Sequence, residues 1–202
     1  MDFDEVVRKR RMIRRFSPEA IPASSLDDVI RAGTRAPSAG FAQGVDLIVL
    51  TSETARGRFW DASSDRSWRD RRGSSSGLLA APAIVIPVAD PDAYAARYSA
   101  ADKSDSLLFS RDAAGWPVPY WLVDAAYSTM LVLLAATAHE LGSLFFQLHT
   151  AEETVCQALG IPDGRRLIGA IALGYPAGEE TPASPSRRAR RAFDDVVHRD
   201  GW

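Results

Sequence analysis

The sequence contains few of the residues that build disulfides, metal centres or nucleic-acid-binding surfaces. Its 202 residues include one cysteine, Cys156, which cannot form an intramolecular disulfide and favours a reducing cytoplasm. The three histidines lack the short spacing of a metal site. With 24 Lys and Arg against 26 Asp and Glu, the net charge of −2 argues against nucleic acid or an acidic membrane as the main partner. We therefore expect a cytoplasmic protein without a metal or nucleic-acid site.

Long apolar runs are scarce as well, and one alone approaches the length of a membrane-spanning helix. Residues 121–138 contain a single charged residue, Asp124, whereas a spanning helix needs about 20 predominantly apolar residues. Because the run also contains Ser128 and Thr129, we interpret it as a helix buried in the core or in a subunit interface. The N-terminal residues are acidic and lack an apolar stretch, so no secretory signal is expected.

The order of the segments predicts one mixed α+β domain over residues 1–202, with helices on both faces of a small sheet. Strands are predicted over residues 45–50, 83–88, 144–147 and 167–173, and helices over residues 2–11, 24–33, 54–62, 120–141 and 150–160. Residues 90–119 form a long connection with one helix, which is typical of a functional loop. Residues 176–202 form a Pro- and Arg-rich tail with an apolar end, which we expect to pack on a partner subunit.

Polar residues mark the expected helix ends. Asp2 is expected to cap a first helix that continues into Arg10 and Arg11, while Ser24 and Thr150 are expected to cap two later helices. The G-x-S-x-G pattern at 73–77 has the form of a nucleophile elbow. It lacks the hydrophobic strand that must precede such an elbow, so it predicts a polar loop and not a hydrolase.

Three separate segments could meet at a phosphate-bearing ligand. Arg10 and Arg14 are four residues apart and would share a helical face if the first helix reached that far. Arg188 and Arg190 would point the same way in an extended tail. Guanidinium groups suit a phosphate dianion, and the small residues at 36–40 allow backbone to approach a flat ligand. Each arginine set taken alone is better explained as a solvated basic surface, because runs of charge usually lie on a solvated face.

In this order, the motifs resemble those of the nitroreductase family of FMN proteins. They are the R-R-x-x-R segment at 10–16, the A-P-S-A-G turn at 36–40 followed by Gln43, the G-Y-P at 174–176, the R-A-R at 188–190 and the V-V-H before Trp202. The resemblance implies a nitroreductase-like fold, in which a central mixed sheet is wrapped by helices. It also implies an intertwined homodimer, with the helix at 120–141 at its centre and FMN at the subunit interface.

The resemblance also implies roles for particular residues. Arg10, Arg14, Arg188 and Arg190 match positions that hold the FMN phosphate and ribityl chain, and Arg11, in the same motif, is also expected to bind the cofactor. Pro37, Ser38 and Ala39 match the turn along the flavin ring, together with Gln43. Leu148 and His149 match the place where a backbone N–H approaches flavin N5. Three departures stand out: Met12 replaces the usual serine, Phe41 the usual asparagine, and Gly44-Val45 a Pro-Trp pair.

The implied activity is that of a flavin oxidoreductase. NADH or NADPH would deliver hydride to FMN, and an electron-poor small molecule such as a nitroaromatic or quinone would then take the electrons, in ping-pong order. This chemistry needs no catalytic side chain, and none is identified. Two alternatives remain open: a flavin-dependent dehydrogenase or tailoring enzyme that recycles FMN with oxygen, and a non-catalytic flavin-binding protein.

Overall fold

A five-stranded sheet lies at the centre of the computed structural model, which describes residues 1–70, 77–103, 115–178 and 188–202. The strands are β1 (Val45–Leu50), β2 (Ala83–Ala89), β3 (Gly142–Phe146), β4 (Arg166–Leu167) and β5 (Ala170–Gly174). Their order is β1-β2-β5-β3, and β4 pairs with β2 beside β5. All pairings between these strands are antiparallel, and the parallel component is an isolated bridge between Met12 and Ser143.

The central strand β2 is buried along its whole length. On one side it pairs with β1 throughout, and on the other side it pairs first with β5 over 83–85 and then with β4 over 88–89. Pro87 falls in the gap between those two partners. A proline has no N–H to donate to a sheet, so this gap is where β2 tolerates one.

Helices cover both faces of the sheet. They are α1 (Phe3–Lys9), α2 (Ala23–Gly33), α3 (Glu53–Ser63), α4 (Pro91–Tyr98), α5 (Tyr120–Ala138) and α6 (Glu152–Leu159). Because side chains alternate along a strand, Ile84 and Ile86 pack in the core beneath α3 and α6, while Ala83 and Val85 pack in the core beneath α2 and α5. The predicted α+β class, with helices wrapped around a central sheet, is confirmed.

The apolar helix α5 packs against α2, β2 and β3. In the described part of the chain it is the one helix long and apolar enough to cross a bilayer, with a mean hydropathy of 1.5. Val132, Leu133 and Ala136 lie in the core beneath α2, as expected of a core helix. Tyr127 and Met130 face outward, with 49% and 47% of their surfaces exposed.

Two predicted helix ends are wrong. The first helix is capped by the Asp2 carboxylate, which accepts a hydrogen bond from the Glu5 N–H, but it ends at Lys9. Arg10 has an extended backbone (φ −52°, ψ 126°), so Arg10 and Arg14 do not share a helical face. Ser24 is not the cap of α2, because the helix already begins at Ala23 after Pro22.

Three boundaries in the second half of the chain also differ from those predicted. The predicted helix to residue 141 ends at Ala138, and the predicted strand over 167–173 is interrupted between β4 and β5. Gly169, at the interruption, has a φ of 139°. Thr150 caps no helix, since its hydroxyl donates to the Ala62 carbonyl oxygen at 2.6 Å and α6 begins after Ala151. Residues 73–76 of the G-x-S-x-G pattern lie outside the described residues.

Candidate functional site

The turn between α2 and β1 has a strained backbone. Gly40, Phe41 and Gln43 have φ angles of 61°, 59° and 52°. This left-handed region suits glycine but is uncommon for other residues, and positions held there against their preference concentrate at functional sites. The Phe41 side chain is 73% exposed. The backbone of this turn, residues 36–43, is therefore fixed by its surroundings.

Side chains from three elements hold the 36–43 turn. The Ser38 Oγ accepts a hydrogen bond from the Gln43 N–H at 3.0 Å. The Arg97 Nε of α4 donates to the Gly40 carbonyl oxygen at 2.7 Å. From α5, the Asp124 Oδ2 accepts a hydrogen bond from the Ala39 N–H at 2.9 Å. These bonds connect the turn to two helices that are distant in the sequence.

Asp124 is the buried charge of an otherwise apolar helix. Its surface is 3% exposed, and the same Oδ2 also accepts a hydrogen bond from the Tyr94 hydroxyl at 2.7 Å. Burial and this hydrogen bond raise the pKa of Tyr94 well above its usual value, so the Tyr94 hydroxyl stays protonated and remains a donor. The carboxylate is thus satisfied by donors from the turn and from α4.

A pocket of about 180 Å³ opens beside the turn. Pro37, Ser38 and Gln43 of the turn line one side, and Asp124 and Ser128 of α5 line another. Three of the residues expected from the resemblance therefore share one wall. Among its lining residues, Asp124 is the one titratable group.

The arginines in the segment after α1 differ in their burial and in their hydrogen-bond partners. Arg10 is half-buried, and its Nη1 is a buried atom that has no hydrogen-bond partner in the structure as described. Arg14 is half-buried as well and donates from Nη1 to the Met12 carbonyl oxygen at 3.1 Å. Arg11 is exposed, and its Nη1 donates to the carbonyl oxygens of Arg8 and Arg10. The Arg11 side chain is therefore hydrogen-bonded to backbone carbonyl oxygens at the C-terminal end of α1.

The C-terminal segment stands apart from the body of its own chain. All residues from 188 to 202 are exposed, and the contacts recorded for them stay within the segment, such as the 4.2 Å stacking of the His198 and Trp202 rings. In a single chain, Arg188 and Arg190 are thus exposed, whereas Arg10 and Arg14 are half-buried.

Leu148 and His149 follow β3 and are fixed to the end of α3. The His149 N–H donates to the Ser63 carbonyl oxygen at 3.0 Å, so it is already engaged. The His149 imidazole lies 4.7 Å from the Trp68 ring, centroid to centroid. Leu148 packs against the core beneath α3 and α6. The predicted pair thus lies together at one end of β3, beside an aromatic partner that the sequence did not reveal.

A second and larger pocket, of about 350 Å³, lies beside α6 and contains none of the expected site residues. Both of its arginines are paired: Arg165 contacts Asp90 at 2.6 Å, and Arg166 contacts Glu152 at 3.2 Å. Cys156 also lines it, and burial raises the pKa of this thiol. This pocket therefore offers neither an unpaired arginine for a phosphate nor a reactive thiol.

Sequence reasoning missed the side chains that hold the 36–43 turn. Tyr94 and Arg97 carried no signal, because they lie on a short helix within a long connection. Asp124 did carry one, since a single carboxylate inside an apolar run must find a partner when buried. That partner, the Ala39 N–H, lies 85 residues away in the sequence.

The sequence matches one known protein family over most of its length. The model described as the nitroreductase family matches residues 7–175. The chain belongs to the nitroreductase family. As a member of this family it is an NAD(P)H-dependent oxidoreductase with FMN as its cofactor.

Curated relatives of this nitroreductase-family chain are distant but span nearly its whole length. It is similar to the NADH dehydrogenase of Thermus thermophilus, with 26% identity over 198 residues that cover 91% of each protein. It is also similar to the 4-nitrobenzoate reductase of a Nocardioides species, with 26% identity over 213 residues, which cover 90% of this chain and 83% of that protein.

Solved structures confirm the nitroreductase fold. A nitroreductase family protein of Clostridium difficile 630 superposes with a TM-score of 0.70 at 19% identity, over the full length of both chains. An FMN-dependent nitroreductase from another strain of Clostridium difficile superposes with a TM-score of 0.64 at 19% identity, over 98% of both chains.

The arginines of residues 10–14 suit the phosphate end of a flavin. A buried guanidinium nitrogen without a partner, as at Arg10, costs free energy unless an acceptor reaches it. A phosphate oxygen is such an acceptor, and Arg14 lies four residues further along the same segment. The donor set of residues 10–14 therefore suits the FMN phosphate.

Proposed function

We propose that this protein is a reductase that passes electrons from NADH or NADPH to an electron-poor small molecule, such as a nitroaromatic or a quinone. The observation that carries the proposal is the pocket beside the 36–43 turn. Its one titratable group, Asp124, is already bonded to the Ala39 N–H and the Tyr94 hydroxyl. Such a pocket binds and orients, and it leaves the chemistry to a cofactor.

In this proposal the half-buried Arg10 and Arg14 bind the FMN phosphate, and Arg11 does not, because its guanidinium closes the end of α1. Pro37, Ser38, Ala39 and Gln43 flank the flavin ring. Leu148 and His149 lie near flavin N5, and the Leu148 N–H is the proposed donor, since the His149 N–H is bonded to Ser63. When bound, FMN supplies the redox chemistry, first accepting hydride from the nicotinamide and then returning electrons to the acceptor in ping-pong order.

The proposal includes a homodimer in the cytoplasm. Arg188 and Arg190 are exposed in an extended tail, where a second copy could bring them to Arg10 and Arg14. Apolar side chains on this tail are also exposed, with Phe193 at 64% and Val196 at 49%. Exposed apolar surface of this kind is typical of a subunit interface. Each flavin site would then combine the body of one chain with the tail of the other.

Anaerobic mixing tests the direction of electron flow. The FMN-loaded protein is mixed with NADH or NADPH, and the flavin absorbance is followed; a quinone or a nitroaromatic is then added. We expect rapid bleaching by one nicotinamide and recovery of the absorbance on adding the acceptor. Bleaching by an organic donor but not by NAD(P)H would replace the reductase with a dehydrogenase, and no bleaching at all would indicate a binding protein.

A further inference from the structure

The strained 36–43 turn is held both by its own hydrogen bonds and by side chains from outside it. Phe41 and Gln43 adopt left-handed conformations with φ angles of 59° and 52°, which residues with a Cβ adopt rarely. Within the turn, the Gln43 N–H donates to the Ser38 Oγ, and two backbone bonds link residues 38–41 and 39–42. The side-chain restraints from outside the turn come from α4 and α5. Loss of those restraints would let the backbone relax to a commoner conformation.

Asp124 provides the restraint that is shielded from water. The Ala39 N–H lies 2.9 Å from its Oδ2, and the carboxylate is 3% exposed. A hydrogen bond to an ionised acceptor is stronger than a neutral one, and water competes less for an acceptor whose side chain is buried. A carboxylate buried in an apolar helix does not add stability in itself, because its desolvation is unfavourable. Its contribution lies in fixing the backbone at Ala39.

The same oxygen joins a second element to the turn. The Tyr94 hydroxyl of α4 donates to Asp124 Oδ2 at 2.7 Å, and Arg97 of α4 donates to the Gly40 carbonyl oxygen. The Tyr98 ring lies against Gly40 so closely that a Cβ at this position would stand 3.0 Å from it. The α4 helix and the turn therefore share one hydrogen-bonded cluster, with Asp124 at its centre.

We propose that Asp124 is a positioning residue, which fixes the 36–43 turn in the shape that receives the flavin ring. This inference rests on the proposed function, because the turn faces the flavin ring only in that proposal. The proposal assigns different roles to two parts of the site. The arginines bind the phosphate, whereas Asp124 fixes the position of the backbone that lies along the flavin ring. Loss of Asp124 should therefore weaken FMN and riboflavin binding to the same degree.

Dissociation constants of FMN and riboflavin, measured by flavin fluorescence, test this proposal. The variants are Asp124→Leu, which removes the acceptor at similar volume, and Asp124→Asn, which keeps an oxygen for the Ala39 N–H. We expect Asp124→Leu to weaken both flavins about tenfold or more, as for loss of a charge-assisted hydrogen bond. Asp124→Asn should stay within roughly threefold of the wild type, because the bond persists as a neutral one.

The matched control is Thr129→Val on the same helix. The Thr129 hydroxyl is buried but donates to the Ala125 carbonyl oxygen within α5, so its loss should leave both dissociation constants unchanged. Unchanged flavin binding in Asp124→Leu would overturn the proposal, and so would an asparagine variant as weak as the leucine variant. Asp124→Ser, whose shorter side chain keeps a polar group, gives the same test if the leucine variant does not fold.

Hydrogen exchange on the flavin-free protein gives an independent readout. Mass spectrometry of a peptide that covers 36–43 should show faster exchange in Asp124→Leu than in the wild type, by roughly tenfold or more, with Asp124→Asn restoring protection. Equal exchange in all three proteins would show that Asp124 does not hold the turn. A wild-type protein that binds no FMN would instead refute the proposed function, while the exchange comparison would still test the role of Asp124.

Discussion

Among the arginines that the structure describes, Arg10 is unusual because one of its guanidinium nitrogens is buried and has no hydrogen-bond partner there. Its Nη1 has no acceptor among the residues that the structure describes, and an unsatisfied buried donor costs about 1–3 kcal/mol. A phosphate oxygen at this position would offset that cost and add a charge-assisted hydrogen bond. The unpaired nitrogen therefore supports the proposed phosphate site, in which the exposed tail arginines are the proposed complement.

Replacing both tail arginines tests whether they bind the phosphate. We expect the double variant Arg188→Ala/Arg190→Ala to weaken FMN binding on the order of a hundredfold, since each charge-assisted hydrogen bond contributes about 1.5–3 kcal/mol. Riboflavin has no phosphate, so its dissociation constant should barely change. Fluorescence titration with both flavins measures the two effects on the same protein.

The control removes two charges from exposed arginines elsewhere. Arg31 on α2 and Arg58 on α3 are exposed, so solvent and salt screen their long-range effect on an anion. Arg31→Ala/Arg58→Ala should change FMN affinity several-fold at most. Equal losses in the two double variants would assign the tail arginines to ordinary surface charge.

At the scale of single residues, the sequence points to candidates whose chemistry is local. Arg10 and the small residues of the 36–43 turn stand out as candidates because spacing and residue type are visible along the chain, and their roles toward the flavin stay predictions. Asp124 could be recognised as anomalous, but its role depends on Ala39 and Tyr94, which are far from it in sequence. Only the packing of α5 against the turn and α4 reveals what the carboxylate does.

Among the elements, the boundary between β4 and β5 shows how a backbone contact overrides an apolar pattern. The run over 167–173 reads as one strand, yet Gly169 interrupts it with a φ of 139°. A Cβ at this glycine would lie 2.5 Å from the Phe146 carbonyl oxygen. The interruption lets β4 pair with one end of β2 while β5 pairs with the other end. Apolar periodicity cannot predict such a bend, because it arises from contact with β3.

Gly169→Ala should therefore destabilise the fold strongly. We expect a loss of about 3 kcal/mol or more in the free energy of unfolding, because both the positive φ and the contact with the Phe146 backbone are unfavourable for alanine. Gly160→Ala is the control, since Gly160 also has a positive φ of 68° but an added Cβ would meet nothing within 4 Å. Its loss should be about 1–2 kcal/mol.

Urea denaturation of both variants measures the difference. Equal destabilisation by the two substitutions would mean that φ alone matters at Gly169 and that the contact with Phe146 is relieved by a small shift of β3. Refolding must be reversible and two-state for the comparison, which the coincidence of fluorescence and circular dichroism transitions establishes.

On the scale of the whole molecule, the outer side of α5 and the tail are two of the surfaces that carry exposed apolar side chains. Tyr127 and Met130 lie on the outer side of α5, and Phe193, Val197 and Trp202 lie on the tail, where Trp202 is fully exposed. The arrangement of helices on both faces of the sheet could be predicted from the order of the segments, because apolar strands such as β2 need cover on both sides. The position of the tail could not be predicted, since all of its described residues are exposed.

We expect the protein to be a dimer of 22.0 kDa chains in solution. Light scattering at micromolar concentration should give twice the chain mass, because obligate interfaces bury apolar surfaces of this kind. Deletion of residues 188–202 should weaken the dimer and should weaken FMN binding with it. A full-length protein with the mass of one chain would contradict the proposed interface.

The single cysteine has a practical consequence. Cys156 is half-buried on α6, and burial together with Glu152 and Glu153 raises the pKa of its thiol, so little of the reactive thiolate forms at neutral pH. Alkylating probes will consequently modify the native thiol slowly. A cysteine introduced at an exposed charged position of the tail, for example at Arg199, can then carry a dye or spin label selectively, and distance measurements between two labelled tails become possible without first removing the natural cysteine.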